Sequence, residues 1–321
     1  MSYRSFGVLM SKRDYSKYDF TKFDYSKKWN LYIDADTIVY STAAMCSKEP
    51  LIVTHKRTGR TKYFNSFSEF NDFITHDEKG SKFSISEFEI PVLRHTYGNI
   101  NKKVESILKL DWVDKYNFYV GGDGNFRRGI DPEYKGNRPP KPALFSYCYE
   151  HFVRKYKPII CHGSEAEDFC LADALSDDVG VIACVDKDLF NQSGYFINYD
   201  NLDMGVFWIS PEQAFYNLCV QLMIGDRSCD NIKGIDFVSD ELKQKYKIKT
   251  KSIGDGTAKN LLNGLESSVE LMKDRLVDVY KLSYGDRWKD ALDFTGKLIY
   301  ITPKRGQIFD VNKFLEGCDY E

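Results

Sequence analysis

The chain has 321 residues, 42% of them hydrophobic and 29% charged, a globular composition with no run near the roughly 18 apolar residues that a membrane helix needs. The first thirty residues carry a charge every two or three positions and no apolar stretch, so neither a membrane span nor a secretory signal is expected, and the protein should stay in the compartment where it is made. A net charge of −2, from 45 basic and 47 acidic side chains, argues against a uniformly basic nucleic-acid binder.

In chain order, residues 1–28 hold a five-residue pseudo-repeat: SKRDY, SKYDF, TKFDY, then SKK. The aromatics at 15, 18, 20, 23 and 25 match neither the helical nor the strand period, so a low-complexity tail that buries no face is expected, or else a segment that docks a partner. Order should begin at WNLYID (29–34), followed by a helix over 37–46 and a hairpin over 51–64 turning at Gly59. A helix is expected over 101–110. Strands are expected at NFYVG (117–121), PIIC (158–161), GVIACV (180–185) and VFWI (206–209), with helical patterns between most of them. This alternation predicts an α/β core over 29–214, with a mainly parallel sheet flanked by helices. Beyond 215 the spacing of Leu265, Val269, Met272, Leu276 and Val279 marks a second, mainly helical unit over 215–321. Eight cysteines without paired spacing should be reduced and mostly buried.

The chemistry lies where the strands stop. Asp34 ends the first strand, Asp123 follows the NFYVG strand, and Asp186 and Asp188 follow GVIACV. Strand carboxyl ends share one edge of a parallel sheet, so these acids should converge on a crevice. Glu165, Glu167 and Asp168 in SEAED lie between them, and Asp226 and Asp230 follow in IGDRSCD. Setting these nine aside leaves 38 acidic against 45 basic side chains, so the rest of the molecule is positive.

Two carboxylates about 4 Å apart repel by roughly 4 kcal/mol at an effective dielectric near 20, and several such pairs call for cations. Oxygen ligands and five histidines without ligand spacing point to Mg²⁺ or Mn²⁺ rather than Zn²⁺, and a pair of such ions suits phosphodiester hydrolysis. FRRGIDPEYKGNRPPKP (126–142) places Arg127, Arg128, Lys135, Arg138 and Lys141 next to the Asp123 strand, where a bound phosphate needs positive charge. SIGDGTAKNLL (252–262) is a glycine turn feeding a helix at Thr257, able to offer backbone N–H groups to a phosphate. Lys243, Lys245, Lys247, Lys249 and Lys251 alternate with other residues, so an extended strand there would present a row of ammonium groups.

The ordered series YIDADT, GGDGNFRR…YKGNR, SEAED, VDKDL, GDRSCDNIKGI and IGDGTAKNLL resembles the motifs of the flap endonuclease superfamily of 5′ nucleases, most of all the bacteriophage 5′ to 3′ exonuclease branch, over roughly residues 29–310. The resemblance implies a PIN-like core, a helix-three-turn-helix DNA-binding element and two Mg²⁺ ions, replaceable by Mn²⁺. It places Asp34, Asp123, Glu165, Glu167, Asp168, Asp186, Asp188, Asp226 and Asp230 at the metals. Lys135 and Arg138 fall at the pair that contacts the scissile phosphate, and Tyr134 at an aromatic that stacks near the substrate terminus. Arg128, Lys233, Gly254, Gly256 and Lys259 fall among the DNA contacts. The implied activity is exonucleolytic or flap-endonucleolytic hydrolysis of DNA with 5′ ends or flaps, or of RNA primers in RNA–DNA hybrids, alongside replication or recombination proteins in the cytoplasm of an infected bacterium.

Two departures stand out. Asp226 and Asp230 are four apart instead of three, a spacing that still shares a helix face. Residues 236–251 separate glycine turns that the family keeps nearly contiguous. Two rival readings are a haloacid-dehalogenase-type phosphatase, from Asp34-Ala35-Asp36-Thr37, and a non-catalytic DNA-junction binder of the same fold.

Overall fold

The computed structural model describes residues 14–75, 83–227 and 229–316. Its first half runs through β1 (Trp29–Asp34), α1 (Asp36–Cys46), the hairpin β2 (Leu51–His55) and β3 (Thr61–Phe64), α2 (Phe67–Thr75), β4 (Phe88–Glu89) and α3 (Pro91–Ile107). There follow β5 (Val113–Gly121), the single turn α4 (Arg127–Ile130), α5 (Phe145–Tyr156), β6 (Ile159–Cys161), α6 (Ala166–Leu175), β7 (Gly180–Ala183), β8 (Gly194–Ile197) and β9 (Val206–Ile209). Then come α7 (Pro211–Ile224), β10 (Gly225–Asp226), β11 (Ile232–Lys233), α8 (Asp240–Tyr246), α9 (Asp255–Leu262), α10 (Val269–Tyr284), α11 (Trp288–Ile299) and α12 (Val311–Leu315).

Six strands form one sheet in the order β6-β5-β1-β7-β8-β9, parallel throughout except for the antiparallel edge strand β9. The expected α/β class, a mainly parallel sheet flanked by helices, is the class observed. Strand order reverses on either side of β1, so the carboxyl ends of β1, β5 and β7 surround the crevice at which such sheets bind ligands. Leu31 and Ile33 of β1 pack with Ile38, Val39, Ile100, Val104 and Phe152 of α1, α3 and α5 on one face. The other face buries Tyr119, Ile182 and Phe207 with Cys170 and Leu171 of α6. A separate cluster joins α7 to α9, α10 and α11 through Leu222, Leu262, Met272, Leu276, Val279 and Leu292. Six of the cysteines are buried thiols, and no helix among the described residues is long and apolar enough to cross a membrane.

Three elements depart from the expectations. First, α3 opens at Pro91, ten residues before the expected start, because proline at N1 loses no hydrogen bond and presets the helical φ. Second, β8 (GYFI) was hidden by its shortness. Third, the lysine row is not extended: Ser239 accepts the Leu242 N–H at 3.0 Å and opens α8, whose Lys243 and Lys245 pair with Asp240 and Asp278 at 2.8 Å.

The repeat also folds, over its described part. Asp14, Asp19 and Asp24 each accept the backbone N–H two residues on at 2.8–3.0 Å, and also its hydroxyl, giving a series of Asx turns. These turns lay the aromatics along the sheet edge. Asp19 pairs with Trp208 of β9, Tyr18 stacks on Phe207, and Phe23 is buried among Trp29, Trp112 and Tyr195. The expected tail without a buried face is thus corrected over residues 14–28 to a strap that covers the sheet edge. Phe23→Leu, which keeps an apolar side chain but loses four aromatic contacts, is expected to cost about 1 kcal/mol in urea unfolding. A strap that contributed nothing would leave the midpoint unchanged.

Candidate metal centre

The centre is built on three strand ends and one helix start. Asp34, the last residue of β1, is buried, and its Oδ1 accepts the Asp36 N–H at 3.2 Å. Its Oδ2 is buried without a hydrogen-bond partner. Asp36, the first residue of α1, accepts the Gly121 N–H at 2.9 Å and so ties β1 to the end of β5. A Cβ at 121 would lie 2.9 Å from Asp36 Oδ2, so a side chain there would displace the Asp36 carboxylate. Asp36 was absent from the expected ligands. Its signal was the i+2 spacing in IDAD, which sets two acids on successive positions at a strand end.

Asp186 follows β7 and accepts the Asp188 N–H at 3.0 Å, while Asp188 accepts Gln221 Nε2 at 2.8 Å. Glu165 and Glu167 stand at the start of α6. Burial pushes the Asp34 and Glu167 carboxyls well above the usual carboxylate range, and Asp186 and Glu165 push both further. Burial likewise raises Asp36, aided by Glu165 and opposed by the Gly121 N–H. Asp188 is pushed up to about 8 by burial and then by Asp186, Asp226 and Asp230. Asp34, Asp36, Glu165 and Glu167 thus form one set, Asp188, Asp226 and Asp230 a second, and Asp186 acts on both.

The acids are not a tight cage. Among the described residues, no three of them bring an oxygen each within 4.8 Å of one another. Mg²⁺ binds at about 2.0–2.1 Å, keeps several waters and takes one or two carboxylates, so a spread, oxygen-only set with one orphaned buried oxygen fits hydrated hard cations. A narrow cavity lined by Glu165, Glu167, Asp188, Asp226 and Asp230 lies between the two sets.

The remaining site residues fall in several places. Asp123 is exposed at the rim, its backbone tied to His162 and Gly163. Asp168 is buried with both oxygens engaged: Arg127 grips it at 2.6 and 2.8 Å, and Ser164 Oγ and the Glu165 N–H add to Oδ2. That pairing holds its pKa below the usual range despite burial. Arg127, itself buried, also donates to the Leu298 and Tyr300 carbonyls at 3.0 and 3.1 Å, tying the end of α11 to α6. It is therefore unavailable to a phosphate, whereas Arg128 is exposed.

Tyr134, expected to stack on substrate, is only 2% exposed. Its hydroxyl donates to Glu165 Oε2 at 3.3 Å and Asp230 Oδ2 at 3.2 Å, and burial with these two acids raises its pKa. It bridges two acids from inside the protein. Tyr134→Phe, which removes the bridge and keeps the ring, is expected to lower unfolding free energy by about 1–2 kcal/mol. Such a loss shows as a shifted urea midpoint at constant slope.

Lys135 contacts Glu165 and lies 3.7 Å from Asp230, and Arg138 contacts Asp230. The loop carrying them clasps the loop carrying Asp226 and Asp230: the Lys135 N–H donates to the Asp230 carbonyl at 2.9 Å, and Asn137 donates to Asn231 at 3.0 Å. Asp226 and Asp230 do not share a helix face. Asp226 lies on β10 and accepts the Cys229 N–H at 3.0 Å, while Asp230 lies in the turn before β11. The turn closes tightly at Gly225, with φ +68° and Gly234 N only 2.3 Å from where a Cβ would stand. Lys233 is exposed on β11. Gly254 and Gly256 open α9 onto open space, two residues earlier than expected, and Lys259 pairs with Asp255 at 2.8 Å.

No protein-family model and no curated protein matches the chain. Among solved structures it is similar to a mutant of the T5 5′-exonuclease, with 16% identity over 66% of this chain and 93% of that one and a TM-score of 0.32. It is also similar to the catalytic core of Rad2 in complex with DNA substrate, with 13% identity over 89% of this chain and 81% of that one and a TM-score of 0.40. A second complex of the Rad2 core shows 10% identity over 90% and 86%, also at a TM-score of 0.40.

Proposed function

We propose that the chain is a divalent-metal-dependent 5′ nuclease that hydrolyses phosphodiesters of DNA at 5′ ends or flaps. The observation that carries this reading is the paired set of acids joined by Asp186 at the carboxyl edge of the sheet, with Lys135 and Arg138 set against it. Asp34, Glu167 and Asp186 would hold one hydrated Mg²⁺ or Mn²⁺, and Asp186, Asp188 and Asp226 a second, each ion taking one or two of its carboxylates directly and the rest through water. When bound, such ions supply an activated water and stabilise the departing 3′ oxygen.

The chain's own residues do the rest. Lys135 and Arg138 rest on Glu165 and Asp230, and a phosphodiester entering the crevice offers them the same charge, so they exchange carboxylate for phosphate oxygens and neutralise the charge that develops there. Arg127 and Asp168 fix the start of α6, which sets Glu165 and Glu167 without touching substrate. Arg128, Lys233 and Lys259, with the backbone at Gly254 and Gly256, are exposed and would hold the duplex by its phosphates.

The test is incubation with Mg²⁺ and 5′-labelled linear duplex, 5′-flap and covalently closed circular DNA. Release of label from linear or flap DNA, with circles spared, is expected. Binding without cleavage would make the protein a junction binder, and hydrolysis of small phosphate monoesters dependent on Asp34 would make it a phosphatase.

A further inference from the structure

A second cluster of metal-ligating side chains stands away from the carboxylates. Asp36 opens α1 at the candidate centre and Cys46 closes it, so the two lie roughly 15 Å apart along the helix. After Cys46 the chain turns at once, with the Glu49 N–H donating to the Cys46 carbonyl at 3.2 Å, and this brings Glu49 back beside the helix end. From the other side, α3 presents His95 and, one turn later, Asn99. The result is a Cys46 Sγ, a Glu49 carboxylate oxygen and a His95 ring nitrogen that all lie within 4.8 Å of one another. Among the described residues it is the one group of three or more such side chains so gathered.

We propose that Cys46, Glu49 and His95 bind a borderline divalent ion of the Zn²⁺ type, at a site separate from the carboxylate centre. Thiolate, imidazole and carboxylate are the three protein donors Zn²⁺ takes, at about 2.3, 2.0–2.1 and 2.0–2.2 Å, whereas Mg²⁺ selects oxygen alone. His95 Nε2 and Glu49 Oε1 are 3.9 Å apart, and in a tetrahedral site they would stand about 3.4 Å apart, a closure that side-chain rotation supplies. Glu49 and His95 are 39% and 57% exposed, while Cys46 is buried in the core.

Asn99 shows where the lone pairs converge. Its Nδ2 lies 3.7 Å from Cys46 Sγ and 3.2 Å from His95 Nε2, a single donor group standing between two of the three ligand atoms. A cation entering there takes the place of that donor. His95 also lines an open cleft with Lys56, Phe88, Glu89, Ile90, Pro91 and Arg94, so this ligand stands at the solvent side of the cluster. Binding forms a metal–sulfur bond and releases the thiol proton of Cys46 to the buffer. It would clamp the end of α1 to α3.

Co²⁺ is the probe, because its bond to thiolate gives a charge-transfer band in the near ultraviolet that carboxylates and imidazoles do not give. The titration uses the full chain with Cys229→Ser and Cys318→Ser, in excess Mg²⁺ to fill the carboxylate centre. Cys229 is exposed, and Cys318 lies outside the described residues. The expected result is a band that saturates at one equivalent, is bleached by Zn²⁺ and is absent from Cys46→Ser. His95→Gln, at an exposed position that leaves the fold intact, should weaken binding at least tenfold. No thiolate band in the starting protein, or a band that survives both Cys46→Ser and His95→Gln, would overturn the site. Neither outcome bears on DNA cleavage, which is measured separately in Mg²⁺.

Discussion

Asp186→Asn is expected to lower Mg²⁺-dependent release of a 5′ label from linear duplex by at least ~10²–10³-fold while leaving metal-free DNA affinity close to wild type. Asp186 raises the pKa of Asp34, Glu167 and Asp188 together, so its charge is the one both sets of acids feel. Asparagine keeps the side-chain oxygen that accepts the Asp188 N–H, so the turn after β7 should survive. What is lost is one negative charge between the two proposed cation positions. Asp123→Asn is the internal control: that residue is exposed at the rim, and its replacement should change the rate little. Wild-type cleavage by the Asp186 variant would remove the crevice from the chemistry, and an equal loss at Asp123 would move the centre toward the rim.

The residues legible in the sequence and those that were not differ in the range of the interaction that sets their role. The placing of Asp34 and Asp186 at one edge could be read because a strand carboxyl end is a local fact, and parallel strands then bring such ends together. Asp168 could not. Its spacing from Glu165 is the same whether it ligates an ion or anchors a helix start, and the choice is made by Arg127, 41 residues away. Arg127 and Arg128 are adjacent in one basic stretch, yet one is buried and the other exposed. The difference comes from the Leu298 and Tyr300 carbonyls, more than 170 positions downstream. Tyr134 likewise reads as an exposed aromatic in a Pro-rich loop until the clasp between the Lys135 and Asp230 loops covers it.

Periodicity misled in the repeat and in the lysine row for one shared reason. Both arguments assumed a regular backbone. In the repeat, Asx turns reset the chain direction every five residues, so a period with no meaning in a helix or strand still delivers Tyr18 and Phe23 to the sheet edge. In the lysine row, a serine cap with Asp240 and Glu241 in the first turn favours a helix, and these signals outweigh the alternation of charges.

Asp188→Asn is expected to melt about 5 °C higher than wild type in EDTA at pH 8. The Asp188 carboxyl titrates near 8 in the fold against an ordinary value of 3.8, because burial and the charges of Asp186, Asp226 and Asp230 oppose its ionisation. Its folded pKa is raised, so the stabilisation it gives as a neutral acid is full below about pH 4 and is lost as pH rises toward 8. Asp34, Asp36 and Glu167 shift in the same direction. The rise from 3.8 to about 8 bounds the effect of Asp188 at ~5 kcal/mol, and relaxation of the side chain brings the expected gain to ~2–4 kcal/mol. Asparagine does not ionise and can still accept the Gln221 amide, so the advantage should fall by more than half at pH 5. Adding Mg²⁺ at pH 8 should raise the wild-type melting temperature more than the variant's, because a cation that binds only the native state stabilises in proportion to its affinity. If Asp188 were instead a structural anion held by Gln221, the variant would melt lower in EDTA and the gap would not depend on pH. Thermal melts of two proteins at two pH values, with and without Mg²⁺, therefore distinguish a carboxylate held against its neighbours for a cation from one that merely supports the turn after β7.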